Sequence, residues 1–245
     1  MYEKIIIMSD IHANLSALEA VIADIRRKRY RPDGVVMLGD LVNYGMRPNE
    51  TVAAIKQIQY PIAVNIFGNH EKAIFDGDLT EFSTRRGQQI LKYTDNCLSS
   101  ETRDFLNGMN HDGYEFCQWQ GKKLLFVHGS MSNPFWGTIS SETITDDIYS
   151  QYDFVISGHS HIPHLMEHFF PSDDHLFRDK KRTVFLNPGS VGQPRNHNPF
   201  AHYVYLDLMT ETISFNTVKY NVELERALYP PSLDEFYKDR LLFGI

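Results

Sequence analysis

Cysteine is nearly absent from this chain: Cys97 and Cys117 are the only two in 245 residues. Two thiols do not make a disulfide framework in a chain of this size, and both are expected to be inert and buried. Long apolar runs are missing too. The longest near the start, Ile5-Ile6-Ile7-Met8, falls far short of the roughly 20 residues that span a bilayer and is too short for a signal-peptide core. With neither, the expected location is the cytoplasm, with no membrane partner. Positive charge is also short, with 24 Lys+Arg against 31 Asp+Glu and a formal net charge of −7. That balance argues against extended nucleic-acid binding, which needs many cation–phosphate contacts. No repeat, low-complexity tract or Gly/Ser linker divides the chain, so a single domain over residues 1–245 is expected. A composition 42% hydrophobic and 13% aromatic excludes disorder. What stands out is histidine, 11 in all.

The first half alternates β-rich and helical patterns. Lys4–Met8 reads as a strand. Leu15, Leu18, Ile22 and Ile25 at helical spacing predict a helix from Asn14, its N-cap, to about Arg29. Val35–Leu38, Glu50–Ile58 and Ile62–Phe67 continue as strand, helix, strand. Such an order implies parallel strands and a site at their carboxyl ends. Residues 71–110 read as a helical insertion beside that site. Strands are predicted at Tyr114–Trp119, Lys122–Val127, Phe154–Ser157, Thr183–Leu186, Tyr203–Leu208 and Thr212–Val218, a solvated loop at Asp173–Lys181, and a last helix near Leu233–Leu242. The basic run Arg26–Arg31 ends the first helix, where positive charge offsets the dipole, and reads as a solvated face.

Metal-type side chains recur just after strands: Asp10-Ile11-His12, Gly39-Asp40, Gly68-Asn69-His70-Glu71, Val127-His128-Gly129 and Gly158-His159-Ser160-His161. Any one of these alone is an ordinary loop; five at successive strand ends form a set. Histidine and carboxylate donors without thiolates suit Mn, Fe, Zn or related divalent ions. The donors outnumber what one tetrahedral ion needs. Two ions about 3.5–4 Å apart would share them, as in sites for in-line displacement at phosphorus.

These motifs resemble those of the calcineurin-like metallophosphoesterase superfamily, from Asp10 to about Arg195, and most nearly its small bacterial phosphodiesterase branch, with Ser9-Asp10-Ile11-His12-Ala13-Asn14 early and Asn187-Pro188-Gly189-Ser190-Val191-Gly192 late. The resemblance implies a four-layer α/β/β/α sandwich of two mixed β-sheets flanked by helices. It implies that Asp10, His12 and His161 hold one divalent ion, that Asn69, His128 and His159 hold the other, and that Asp40 bridges both. Manganese is the first choice of metal, with iron or zinc as alternatives. A hydroxide shared by the ions would attack phosphorus, and His70, not a ligand, would protonate the leaving oxygen or stabilise transition-state charge. Many relatives carry Gly-Asp-x-x-Asp-Arg-Gly after the second strand; here Asn43 and Tyr44 stand at the Asp and Arg positions. The charge support for a protonated His70 is therefore reduced. Protein phosphatases and symmetrically cleaving dinucleoside tetraphosphatases are disfavoured.

The expected activity is hydrolysis of nucleotide phosphodiesters or phosphoanhydrides, for example asymmetric cleavage of diadenosine tetraphosphate. A phosphomonoesterase and a non-catalytic scaffold on the same fold are the alternatives. The expected partner is a small phosphorylated substrate, a nucleotide by preference. Arg195, after the Asn-Pro-Gly-Ser-Val-Gly turn, is placed to bind a second phosphate. Asn43, Tyr44, Phe135 and Trp136, beside the motif loops, are candidates for substrate contact, the aromatic three by stacking on a base.

Overall fold

A computed structural model describes residues 2–144 and 147–245. Strands β1 (Lys4–Met8), β2 (Gly34–Met37) and β3 (Ile62–Asn65) run parallel, joined by helices α1 (Leu15–Arg27) and α2 (Pro48–Lys56). Two late strands, β9 (Ala201–Asp207) and β10 (Thr212–Val218), add antiparallel to β1, giving a first sheet in the order β10-β9-β1-β2-β3. A second sheet, ordered β4-β5-β6-β8-β7, is built from β4 (Tyr114–Trp119), β5 (Lys122–Val127), β6 (Phe154–Ser157), β7 (His164–Pro171) and β8 (Lys180–Asn187). Its central strands β5, β6 and β8 are parallel, and the edge strands β4 and β7 are antiparallel to their neighbours. Between the sheets in sequence lie α3 (Asn69–Asp76), α4 (Arg85–Cys97) and α5 (Ser100–Asn107). Helices α6 (Val222–Ala227) and α7 (Phe236–Phe243) follow β10.

The continuous apolar run of β1 follows from burial on both faces. Successive side chains point to opposite sides of a strand, so Ile6 and Met8 pack with Leu18, Val21 and Ile25 of α1, while Ile5 and Ile7 meet Leu124, Phe126, Phe154 and Ile156 of the second sheet. The two sheets thus share one apolar layer. On the far side of the second sheet, Leu125, Val127, Val155 and Phe185 are covered by Ile139, Ile144, Tyr149 and Tyr152. The expected sandwich of two mixed sheets flanked by helices is observed. No helix among the described residues is long and apolar enough to cross a membrane.

Local expectations hold where the pattern is strong. Asn14 caps α1, its side chain accepting the Ala17 amide at 3.0 Å. The basic end of α1 is paired at the surface, with Lys28 Nζ 3.5 Å from Asp24. Two elements, β7 and α6, lack a sequence signature of their own. β7 carries histidines and a glutamate, exposes Leu165, Glu167 and Phe169, and contains no β-branched residue; it exists because β8 extends back to Lys180 and pairs with it, Glu167 bridging to Arg182 at 3.1 Å. The Asp173–Lys181 loop is correspondingly shortened and holds a single 3-10 turn at His175–Phe177. α6 is only six residues long, too short to show a helical period. The cysteines differ from expectation as well: Cys97 is exposed and Cys117 half-buried, and neither is disulfide-bonded.

Candidate metal centre

The parallel strands of both sheets end at one rim, and the motif loops meet there. Asp10 and His12 leave β1, Asp40 leaves β2, Asn69 and His70 open α3 after β3, His128 leaves β5, and His159 and His161 leave β6. The crowding is severe. A Cβ on Gly68 would lie 2.0 Å from the Asp40 carboxylate, and one on Gly39, where φ is +88°, would lie 2.3 Å from the Gly68 nitrogen. Asp10, His12, Asp40, Asn43, Tyr44, His159 and His161 all adopt positive φ between 49° and 72°. Left-handed non-glycine backbone costs on the order of 1–3 kcal/mol per residue, least for Asn and Asp, and persists where surrounding structure over-determines it.

The surroundings do over-determine it. Glu71, fully buried, takes the amides of Leu41 and Val42 on Oε1 and those of Asp40 and Gly68 on Oε2, at 2.8–3.1 Å. This carboxylate ties the β2 loop to the start of α3. Ser9 Oγ donates to Asp10 Oδ2 at 2.5 Å, and the His70 amide donates to Asp40 Oδ1 at 3.0 Å.

Each aspartate therefore has one anchored oxygen, and its other oxygen, Asp10 Oδ1 or Asp40 Oδ2, is buried without a hydrogen-bond partner. Those two atoms face imidazole nitrogens. Asp10 Oδ1 lies 3.2 Å from His161 Nε2 and 3.9 Å from His12 Nε2. Asp40 Oδ2 lies 3.4, 3.7 and 3.8 Å from Nε2 of His128, His12 and His70. The outer ring nitrogens are held by carbonyls: His128 Nδ1 donates to Leu38 at 2.6 Å, His161 Nδ1 to Gln193 at 2.5 Å, and His12 Nδ1 to Val42 at 3.3 Å. In His12 and His161, which burial keeps neutral, a proton fixed on Nδ1 leaves a lone pair on Nε2, aimed inward. His12 Nε2 and His161 Nε2 then face each other at 3.2 Å with no proton between them. Facing lone pairs and orphaned carboxylate oxygens call for a cation. The side chains divide into two ligand groups, Asp10-His12-Asp40-His161 and Asp40-His128-His159, each with its donor atoms within 4.8 Å of one another. Asp40 belongs to both. Asn69 Oδ1 lies 3.0 Å from both His128 Nε2 and His159 Nδ1, which brings it to the second group.

Charge follows the same division. Burial opposes ionisation of Asp10 and Asp40, but the neighbouring imidazoles hold both below the usual carboxylate range. Asp40 in turn raises His128 to about 9 against the effect of burial, so without a cation that ring carries protons on both nitrogens. Burial pushes His159 down to about 3 and His70 to about 4, so both rings are neutral.

Around this centre stand the other residues singled out from sequence. Asn43 Nδ2 meets His70 Nδ1 at 2.5 Å, while Asn43 Oδ1 accepts the Thr94 hydroxyl at 3.0 Å. Because Thr94 engages the amide oxygen, the amide nitrogen donates to His70, whose own proton then sits on Nε2, facing the cluster. Tyr44 lies between the metal centre and the C-terminal helix, its ring 4.7 Å from His12, 4.6 Å from His70 and 5.2 Å from Tyr237. Burial raises the Tyr44 hydroxyl above its ordinary pKa, and the charge of Arg195 opposes that rise. Trp136 approaches His159 edge-on at 5.8 Å and Phe82 at 5.3 Å. Phe135 goes elsewhere: it packs under Gly113 and carries Lys72 over its ring at 5.0 Å. Glu71, Phe82, Thr94 and Tyr237 were not assigned roles from sequence. Glu71 was visible as the fourth residue of its motif; the others carry no local signal.

The sequence pattern of the calcineurin-like phosphoesterase superfamily domain matches residues 4–211. The chain belongs to that superfamily. Similar proteins include the uncharacterized protein MJ0912 of Methanocaldococcus jannaschii, 29% identical over 245 residues, 98% of each chain. Among solved structures, this metallophosphoesterase chain is similar to a metallophosphoesterase from Sphaerobacter thermophilus, with a TM-score of 0.76, 27% identity and full coverage of both chains. The hypothetical protein PH1004 from Pyrococcus horikoshii shares the fold at a TM-score of 0.78 and 21% identity, with 99% of this chain and 98% of that one covered. Superfamily membership and the buried Asp/His cluster together support metal-dependent hydrolysis of phosphoesters.

Proposed function

We propose that this metallophosphoesterase hydrolyses nucleotide phosphodiesters or phosphoanhydrides at a two-metal centre, asymmetric cleavage of a dinucleoside tetraphosphate being one such reaction. The observation that carries the reading is the pair of ligand groups sharing Asp40, each with a buried carboxylate oxygen that no protein donor satisfies. Asp10, His12 and His161 would hold one ion, Asn69, His128 and His159 the other, and Asp40 both. Manganese suits this oxygen- and imidazole-rich set, as do iron and zinc. Two divalent ions supply a water acidified toward neutrality and a clamp on the phosphoryl oxygens.

The chain's own residues do the rest. His70 presents Nε2–H to the cluster from beside Asp40, a position suited to donating to the leaving oxygen as the P–O bond lengthens. Asn43 holds that ring in the donating tautomer. A neutral imidazole stabilises charge on the leaving oxygen without bringing a net positive charge of its own. Tyr44 and Arg195 flank the His12 side of the centre and Trp136 the His159 side, so the substrate lies across the cluster with an aromatic face available to a base.

The test is a substrate panel. Purified protein with Mn²⁺ is assayed against phosphomonoesters, phosphodiesters, nucleoside triphosphates and dinucleoside polyphosphates. Turnover of diesters or anhydrides is expected; turnover of monoesters alone would overturn the reading.

A further inference from the structure

Three arginines from remote segments gather on the Tyr44 side of the centre. Arg195 follows β8, its backbone amide 3.3 Å from the His161 carbonyl, and its charge acts on the Tyr44 hydroxyl. Arg86 comes from the first turn of α4, its guanidinium 3.8 Å from the centroid of Phe236. Arg240 comes from α7, 5.1 Å from the same ring. These cations bear on one another: beyond the larger effect of burial, the charges of Arg195 and Arg86 help push Arg240 down to about 10.

Such a grouping normally draws carboxylates. Among the described residues none of the three forms a salt bridge to an acidic side chain, although Arg47, Arg103, Arg182 and Arg226 all do. Arg240 Nε donates to an oxygen of Ile245, the last residue of the sequence, at 2.5 Å, and Asp234, which bears on Tyr237, is taken by the Phe236 amide, so it is Arg86 and Arg195 that have no acidic partner among the described residues. Arg195 Nε is buried with no partner at all. A guanidinium offers donors in a rigid fork that matches phosphate oxygens. The position is also specific. Tyr44 meets His12 and His70 on one side and Tyr237 on the other, and Tyr237 meets Phe236, so Arg86 and Arg240 are linked to the Asp10-His12-Asp40-His161 group through a chain of three rings.

We propose that Arg86, Arg195 and Arg240 form a second-anion subsite that receives a phosphate linked to the one being hydrolysed. The preferred substrates are then phosphoanhydrides, molecules with consecutive phosphates, over diesters that carry a single phosphate. This rests on the two-metal phosphoesterase reading for the reaction itself, but not for the binding of the anion. Phe236 contacts both Arg86 and Arg240, and its neighbour Tyr237 stacks on Tyr44 at 5.2 Å.

Two measurements test it. The first compares kcat/KM for a dinucleoside tetraphosphate with that for bis(p-nitrophenyl) phosphate, in the Mn²⁺-loaded enzyme and in the Arg86→Gln/Arg240→Gln variant. The ratio is expected to fall about 30-fold in the variant, the scale of losing two charge-assisted contacts; an unchanged ratio overturns the subsite. Arg86→Gln alone, at a half-exposed helix position, is the second variant should the double substitution not fold, with a fall of about 5-fold expected and no change again overturning the proposal. The second measurement is calorimetric titration of inorganic tripolyphosphate into chelator-treated protein. Wild type is expected to bind about 10-fold or more tighter than Arg86→Gln, and equal binding overturns the subsite. Tripolyphosphate binding that depends on Arg86, in a protein that hydrolyses no phosphoester with Mn²⁺, would defeat the catalytic reading and leave the anion subsite standing.

Discussion

The inner cluster and its rim are built in opposite ways. Asp10, His12, Asp40, Asn69, His128 and His161 are at most 2% exposed, and backbone groups or neighbouring side chains orient every one. Each stands within four residues of a strand end. Tyr44, Trp136, Arg86, Arg195 and Arg240 are half-buried and come from five separate segments, held by ring contacts and by each other's company. On the proposed reading, chemistry that tolerates little displacement sits on rigid strand ends, and recognition sits where substitution costs the fold little. The contrast predicts that inner changes abolish the reaction while rim changes redistribute it among substrates.

The largest effect is expected from Asp40→Asn. It keeps the shape and the Oδ1 contact to the His70 amide but removes the charge that serves both ligand groups. Turnover should fall about 1,000-fold or more, and bound metal, measured by mass spectrometry of the purified protein, should fall with it. A variant that kept wild-type rate and metal content would remove Asp40 from the centre of the argument. Chelation tests the same point without mutation. A metal present at about 100 times its dissociation constant stabilises by about 2.7 kcal/mol, so a chelator should lower the wild-type Tm by roughly 5–10 °C in a chain of this length. Asp40→Asn should respond much less, and an equal response would mean that the metals lie elsewhere.

The same contrast explains what could be read from the sequence. Asp10, His12, Asp40, Asn69, His128, His159 and His161 were legible because each sits in a short motif after a strand, and parallel strands bring their carboxyl ends together. The strands of the shared apolar layer were legible for a related reason: Ile5-Ile6-Ile7 and Leu124-Leu125-Phe126 have no alternative to burial on both faces. β7 was not legible, since a strand whose side chains are His, Met, Glu and exposed Phe is defined by its partner β8 and not by its own pattern. The rim was hardest. Arg86, Phe82 and Thr94 lie in the polar helical insertion, Tyr237 and Arg240 in the last helix, and only tertiary packing brings them to one place. Arg195 and Trp136 are suggested by sequence because they closely follow motif loops; the same rule also suggests Phe135, whose ring packs on Gly113.

The connection between the two zones is Asn43, and it predicts an effect of middle size. Thr94→Val removes the hydroxyl that fixes the Asn43 amide, with little change of shape. Asn43 is then free to flip and to accept from His70 Nδ1, moving the ring proton away from the cluster. kcat should fall about 10-fold with KM little altered, and the loss should be larger for substrates with alkoxide leaving groups than for p-nitrophenyl esters. A poor leaving oxygen needs the hydrogen-bond donor to stabilise its charge; nitrophenolate does not. An equal loss for both would mean that Thr94 only supports the fold.

The smallest expected effect is at Trp136, and it bears most directly on the division of labour. Its indole stands edge-on to both His159 and Phe82, at 5.8 and 5.3 Å, and remains partly exposed. A base stacked on it would gain about 1–3 kcal/mol, whereas the ring's edge contact with His159 contributes about 0.5–1.5 kcal/mol to placing a ligand. The two uses separate by substrate. If the ring is a base platform, Trp136→Ala should raise KM for nucleotide substrates about 5–10-fold and leave bis(p-nitrophenyl) phosphate, which has no base, less affected than any nucleotide. Trp136→Phe should restore most of the difference. If the ring instead positions His159, kcat falls by the same factor for every substrate and Phe does not rescue it. That outcome would move Trp136 from the rim into the inner cluster, since a residue that acts through a metal ligand cannot choose among substrates.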